Sequence, residues 1–183
     1  MNDRAVTTGD QELLERARHY DHDALAELYD RYAMRIYAYL YRRVGSAQIA
    51  EDLTSDVFVS MLEAIQARKP WKVSFRAWLY RIAHNAVVDW YRSGGGQHLA
   101  DLEESTVEAV IRAQDDGLDA WSREGLRNAL VDLTEIQQQV LLLRFGEGLK
   151  VREIAEVLQK STGAVEALQH RALATLRERL EER

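Results

Sequence analysis

The stretch from residue 153 to residue 168, Glu-Ile-Ala-Glu-Val-Leu-Gln-Lys-Ser-Thr-Gly-Ala-Val-Glu-Ala-Leu, admits few backbone arrangements. Its apolar spacing reads as two short helices crossing at a tight turn, a helix-turn-helix. Ala155 falls at the crossing, where only a small side chain fits. Ile154 and Leu158 face inward from the first helix, and Val165 and Leu168 from the second. Ser161 and Thr162 offer hydroxyls to the free N–H groups that open the second helix. In such a unit the second helix is the one that enters the major groove of DNA.

The rest of the chain is compatible with that unit and with little else. One proline (Pro70) and ten glycines in 183 residues predict an almost wholly helical, all-α protein, as one ordinary domain or two small ones. No apolar run approaches the ~18 residues of a membrane span, so no membrane insertion is expected. The N-terminus carries Asp3 and Asp10 and lacks the apolar core of a signal peptide. Cysteine is absent, which excludes disulfides and thiolate metal sites and points to the cytoplasm. The net charge of −6 is unevenly placed. Residues 1–93 carry 13 basic and 13 acidic side chains, residues 94–125 carry 2 and 8, and residues 126–183 carry 9 and 9. No broad basic face exists for tight autonomous binding to DNA, so either DNA is not the ligand or another protein supplies most phosphate contacts.

Within the first block, Asp10 or Asp21 is placed to cap an early helix, and Leu25, Leu28, Tyr29, Tyr32, Ile36 and Leu40 form an apolar stripe. Gly45-Ser46 ends that helix. The next is predicted from Ser46 through Ala64, with Leu53, Val57, Met61 and Ala64 inward. Arg68 to Ser74 reads as a loop. A further helix over Phe75–Arg92 is expected to bury Leu79, Ile82, Ala83, Ala86 and Trp90. Gly94-Gly95-Gly96 is the clearest boundary. No strand precedes it and no Lys-Ser/Thr follows, so it reads as a flexible hinge rather than a phosphate loop. The acidic segment after it has only a weak helical pattern, Leu102 to Arg112, and is expected to be partly disordered. Helices are predicted at 126–132, 135–145, 151–158 and 162–181.

Between Arg68 and Arg92, six basic residues alternate with Trp71, Phe75, Trp78, Tyr80, Trp90 and Tyr91. Cations that hold phosphates beside aromatics that stack on unpaired bases are the chemistry of single-strand capture. Trp78 and Trp90 fit the buried stripe, whereas Trp71, in a polar loop after Pro70, is harder to explain as core. Glu51, Asp52, Ser55, Asp56 and Val59 share a broad face opposite Leu53 and Met61. Two carboxylates one turn apart, with an apolar patch at Phe58 and Val59, suit a basic partner helix, and a solvated acidic face explains them equally well. His19 and His22 lack a third ligand, so no metal is expected there. No nucleophile motif or phosphate loop is present, and neither an enzyme nor a cofactor is expected.

Four strings, in order, resemble the extracytoplasmic-function group of bacterial RNA polymerase sigma factors: Ala-Leu-Ala-Glu-Leu-Tyr-Asp-Arg-Tyr (24–32), Ala-Glu-Asp-Leu-Thr-Ser-Asp-Val-Phe (50–58), Phe-Arg-Ala-Trp-Leu-Tyr-Arg-Ile-Ala-His-Asn (75–85) and Ala-Val-Glu-Ala-Leu-Gln-His-Arg-Ala-Leu (164–173). The resemblance implies two small helical domains: sigma domain 2 over 1–93 and sigma domain 4 over 126–183, joined by a flexible acidic linker over 94–125. It implies core RNA polymerase and promoter DNA as partners, commonly with an anti-sigma factor. Asp52, Asp56 and Phe58 fall in the helix that docks on the polymerase clamp. Trp71, Lys72 and Arg76 fall at the loop that receives a flipped base of the −10 element, Asn85 and Asp89 at positions that read its upstream edge, and Arg92 with them at the same element. Lys160, Thr162, Glu166, Ala167, His170 and Arg171 fall where the −35 element is met. Two positions depart from the pattern: Gln159 stands where the turn usually has Gly, and Glu166 where Lys or Arg is usual. That acid motivates a rival reading, a sigma mimic that sequesters an anti-sigma factor without binding DNA. A stand-alone repressor would need a dimerisation surface, and no segment is an evident candidate.

Overall fold

The computed structural model describes residues 8–71, 74–95, 104–111 and 122–181, and among them every regular element is helical. Helix α1 spans Thr8–Arg18, α2 His22–Val44, α3 Ala47–Gln66 and α4 Phe75–Arg92. Residues 104–111 form α5. They are followed by α6 (Arg123–Leu130), α7 (Glu135–Leu141), α8 (Val151–Leu158) and α9 (Thr162–Glu181).

Local chemistry places the boundaries. Asp21, the cap for α2, accepts from the Ala24 N–H at 2.9 Å and takes a fork from Arg16. Gly45 ends α2 at φ 67°, a left-handed conformation that costs glycine nothing. Ser74 caps α4 and Ser122 caps α6, each through its hydroxyl. The seven-residue α7 continues as one wide π turn over Leu142–Gly146, so the helix predicted over 135–145 is present but widens in its second half, where Leu142 and Leu143 are buried.

The α2 and α3 stripes are largely as expected: Leu25, Leu28, Ile36 and Leu40 pack against Leu53, Val57 and Met61. Tyr29 is the exception, half exposed at the rim. On α4 the stripe differs more. Ile82, Ala86 and Trp90 are only partly buried, whereas Phe75, Trp78, Tyr80, His84 and Val87 are buried. The cause is that α4 lies between α3 and α8 and covers two faces instead of one.

The acidic segment is not a free tether where it is described. Ser105, Thr106, Val107, Ala109 and Val110 of α5 are buried. Val107 and Val110 pack with Leu126, Leu130, Leu141 and Leu176. Glu104 and Glu108 pair with Arg123, at 3.3 and 2.6 Å, and Glu104 pairs with Arg127 at 2.7 Å. Docking turns a weak pattern into a helix, because its apolar face becomes legible only against α6 and α9. Glycine also has a second role at the expected hinge: a Cβ on Gly95 would lie 2.3 Å from the Trp90 ring, so the chain needs a close approach there. Gly96 lies outside the described residues.

The two halves meet in one core. Leu142, Leu143, Leu149, Ile154, Ala155 and Val157 join the cluster built by α2, α3 and α4. At its edge Glu147, with a side chain only 5% exposed, pairs with Arg42 and accepts from the Tyr80 hydroxyl at 2.8 Å. Its own carbonyl accepts from Arg76.

Candidate nucleic-acid interface

The helix-turn-helix is built as its spacing demands. Ile154, Ala155 and Val165 are buried at the crossing, and Leu158 and Leu168 pack against them. Gln159 closes α8 in the left-handed region at φ 53°, and the next N–H, of Lys160, bonds back to the Ala155 carbonyl at 2.9 Å. Ser161 supplies the cap, accepting from Ala164 N at 3.2 Å, and Thr162 is the first helical residue. Thr162, Glu166, Ala167, His170 and Arg171 recur at spacings that share one face of α9, and all five are exposed with Lys160 beside them. The geometry brings these six residues onto one free surface. Lys160 and Arg171 offer cations to phosphates, and Glu166 is an acceptor among them.

The second group of residues lies on α4. Asn85, Asp89 and Arg92 are exposed on one face, and Arg92 reaches Asp89 at 3.5 Å. They line a 420 Å³ cleft whose far wall is Val157, Leu158 and Gln159 of the helix-turn-helix. The residues expected near the flipped base are placed differently. Trp71 is not an exposed platform. It is 4% exposed, edge-on to Phe75 at 4.8 Å and tilted against Trp78 at 5.7 Å. A hydrophobic ring beside two other rings gains more from burial than a polar loop context suggests. Arg76 is half-buried and engaged with the Glu147 carbonyl, so in this arrangement it is not available to a phosphate. Lys72 lies outside the described residues.

The third group lies on α3. Asp52 and Asp56 are exposed one turn apart. Phe58 is not a surface patch with Val59: it is 5% exposed and packs edge-on against Tyr29 at 4.7 Å. It does form the floor of an open apolar groove of 370 Å³, lined also by Leu25, Ala26, Tyr29, Met61 and Leu62. Val59, exposed at 52%, stands apart. His22 packs edge-on against Tyr20, and His19 faces Glu15 at 3.4 Å.

Burial shapes the titration of the inter-half network. Burial pushes the Tyr39 phenol up to about 12, and it lies 3.3 Å from His84 Nδ1. Burial first, then the neighbouring Glu147, raises Tyr80 further still. Glu156 is raised by desolvation, which outweighs the nearby Arg81. Two residues escaped sequence reasoning, Glu147 and Arg18. A lone Glu between two glycines and an Arg at a helix end carry no local signal of their distant partners.

Comparison with known proteins places these groups in a family frame. The Sigma-70 region 2 family matches residues 28–97, and Sigma-70 region 4 matches residues 129–178. The chain is 40% identical over 171 residues to the ECF RNA polymerase sigma factor BldN of Streptomyces coelicolor, covering 90% of this chain and 63% of that protein. It is 31% identical over 163 residues to the RNA polymerase sigma factor YlaC of Bacillus subtilis, covering 86% and 92%. Among solved structures it is similar to CnrH in complex with the cytosolic domain of CnrY, with TM-score 0.63, 26% identity and coverage of 94% and 97%.

Proposed function

The chain belongs to the extracytoplasmic-function sigma factors, and on that premise we propose that it directs core RNA polymerase to promoters by reading −10 and −35 elements and helping to melt the former. Residues 1–93 serve as sigma domain 2, 126–183 as sigma domain 4, and 94–125 join them. The observation that carries the reading is the exposed face of α9 inside the region 4 match, with a second exposed set, Asn85, Asp89 and Arg92, inside the region 2 match. Duplex DNA is met by α9, and the −10 element by α4 and the loop before it. Asp52, Asp56 and the groove floored by Phe58 receive polymerase. The protein acts in the cytoplasm and is not an enzyme. Among the described residues no helix is long and apolar enough to cross a membrane.

Geometry adds a requirement. Elements centred near −10 and −35 lie about 25 base pairs apart, roughly 85 Å at about 3.4 Å per pair. With α4 packed on α8, the two reading faces cannot span that distance. They must separate on the polymerase, and a protein that reads DNA only once mounted there need not be basic itself, in keeping with the balanced charge of both halves. The relative CnrH is seen with the cytosolic domain of CnrY, which supports an inhibitory protein partner here. Glu166 on the reading face favours a second possibility, a mimic that engages such a partner without DNA. Run-off transcription with core polymerase separates the two: promoter-specific transcripts are expected, and their absence alongside intact core binding would favour the mimic. Asp52→Arg with Asp56→Arg should weaken core capture while leaving the helical fold unchanged.

A further inference from the structure

The seam between the halves holds more positive charge than its anion satisfies. Arg42 and Arg43 lie in the last turn of α2, and Arg76 in the first turn of α4. Arg42 pairs with the Glu147 carboxylate, and Arg76 donates to the Glu147 carbonyl. The other carboxylate oxygen accepts from the Tyr80 hydroxyl at 2.8 Å. The Tyr39 phenol, raised first by burial, also senses Arg43, Glu147 and Arg42, which places the 1% exposed Arg43 in the same cluster.

These cations are only partly used. Among the described residues, Arg42 Nε, Arg76 Nε and both Nε and Nη2 of Arg43 are buried without a hydrogen-bond partner. Unpaired N–H groups on a buried cation are costly. A carboxylate offers two oxygens in one plane, and here each already serves one donor. A phosphate group presents acceptors in three dimensions and matches several guanidinium forks at once. Ownership of the groups matters as much as their number. Glu147 lies within the region 4 match, and all three arginines lie within the region 2 match. When the halves part, the anion leaves and the cations stay.

We propose that Arg42, Arg43 and Arg76 form a phosphate-binding site of the opened chain, which Glu147 fills in the closed chain as a built-in competitor. The site lies at the N-terminal end of α4, away from Asn85, Asp89 and Arg92 in its second half. Closure and phosphate binding exclude one another, so a phosphate ligand favours the open form. The proposal builds on the separation of the halves argued above.

The test uses the full chain without polymerase. Glu147→Ala and wild type are melted in phosphate, acetate and chloride at matched ionic strength. Phosphate at about ten times its fitted Kd should raise the variant's midpoint by roughly 3–6 °C over chloride. Wild type should show no such rise, because Glu147 fills the site, and adding Arg42→Ala to the variant should abolish it. A labelled DNA single strand of arbitrary sequence should bind Glu147→Ala about tenfold tighter than wild type, the worth of one charge-assisted hydrogen bond. Glu63→Ala, which removes an exposed acid from α3, should give no such gain and so controls for net charge. A gain for the strand identifies the nucleic-acid backbone as the source of the phosphate; a response to inorganic phosphate alone identifies a free ligand. If the alanine variant fails to fold by circular dichroism, Glu147→Gln carries the same comparisons. No response to phosphate, an equal response to acetate, or a response that survives loss of Arg42 overturns the proposal. Run-off transcription is independent of these titrations, so its failure would sink the functional reading instead.

Discussion

Replacing Glu147 with glutamine tests what holds the two halves together. The carboxylate is 5% exposed, pairs with Arg42, whose side chain is 18% exposed, and accepts from Tyr80 at 2.8 Å. Glutamine keeps the shape and one acceptor for Tyr80, but it leaves the Arg42 cation without its anion in a site where Arg42 Nε already lacks a partner among the described residues. Removing one member of a buried pair costs about 3–5 kcal/mol. Retaining the Tyr80 bond restores about 1 kcal/mol, so a loss near the low end, about 3 kcal/mol, is expected. At about 2–4 °C per kcal/mol for a chain of this size, the melting midpoint should fall by roughly 6–12 °C. Because Glu147 joins α2 and α4 to the turn before α8, the loss should fall on the contact between halves. The chain has no native cysteine, so Gln66→Cys and Arg177→Cys, both exposed on opposite halves, can carry a fluorescent pair without interference. The variant should show a lower midpoint and a longer mean separation. A melting shift under about 2 °C with an unchanged separation would show that apolar packing alone closes the interface and that the Glu147 network is incidental.

Three further outcomes are expected. Gln159→Gly relieves a left-handed φ of 53° and should stabilise the protein by about 1 kcal/mol in urea denaturation; no gain would mean Gln159 makes a compensating contact. Tyr39 and Tyr80 have folded pKa values raised above the unfolded value, to about 12 for Tyr39, so the stability they confer is whole below pH ~10 and is lost as pH climbs through the folded values. Two of the eight tyrosines should therefore stay protonated in a phenolate absorbance titration until the protein unfolds, and a single transition for all eight would contradict their burial. Glu166→Lys exchanges an exposed anion for a cation on the α9 face and should relax −35 preference by ~1–3 kcal/mol at one base pair in a promoter library selection; an unchanged preference would place residue 166 away from DNA.

The features legible in the amino-acid order were those set by contacts a few residues apart. Asp21 before α2, Gly45 after it, the Ser161 cap of α9 and the small Ala155 between Ile154 and Val157 are local chemistry, and each is found where the spacing places it. The outward face of α9 follows from the same 3.6-residue period that buries Val165, Ala172 and Leu176. What only the tertiary structure decided involves partners dozens of residues away. Trp71 looked like a free ring because Phe75 and Trp78 sit on another element and Arg18 is 53 residues distant. Phe58 looked like surface until Tyr29 covered it. The acidic segment gained a helix only by docking on α6 and α9, and α4 buries a second face only because α8 lies on it. Periodicity reports one burial direction per helix, set by local pitch. A second direction, and the pairing of Glu147 with Arg42 across 105 residues, arise from chain closure, which no window of neighbouring residues encodes.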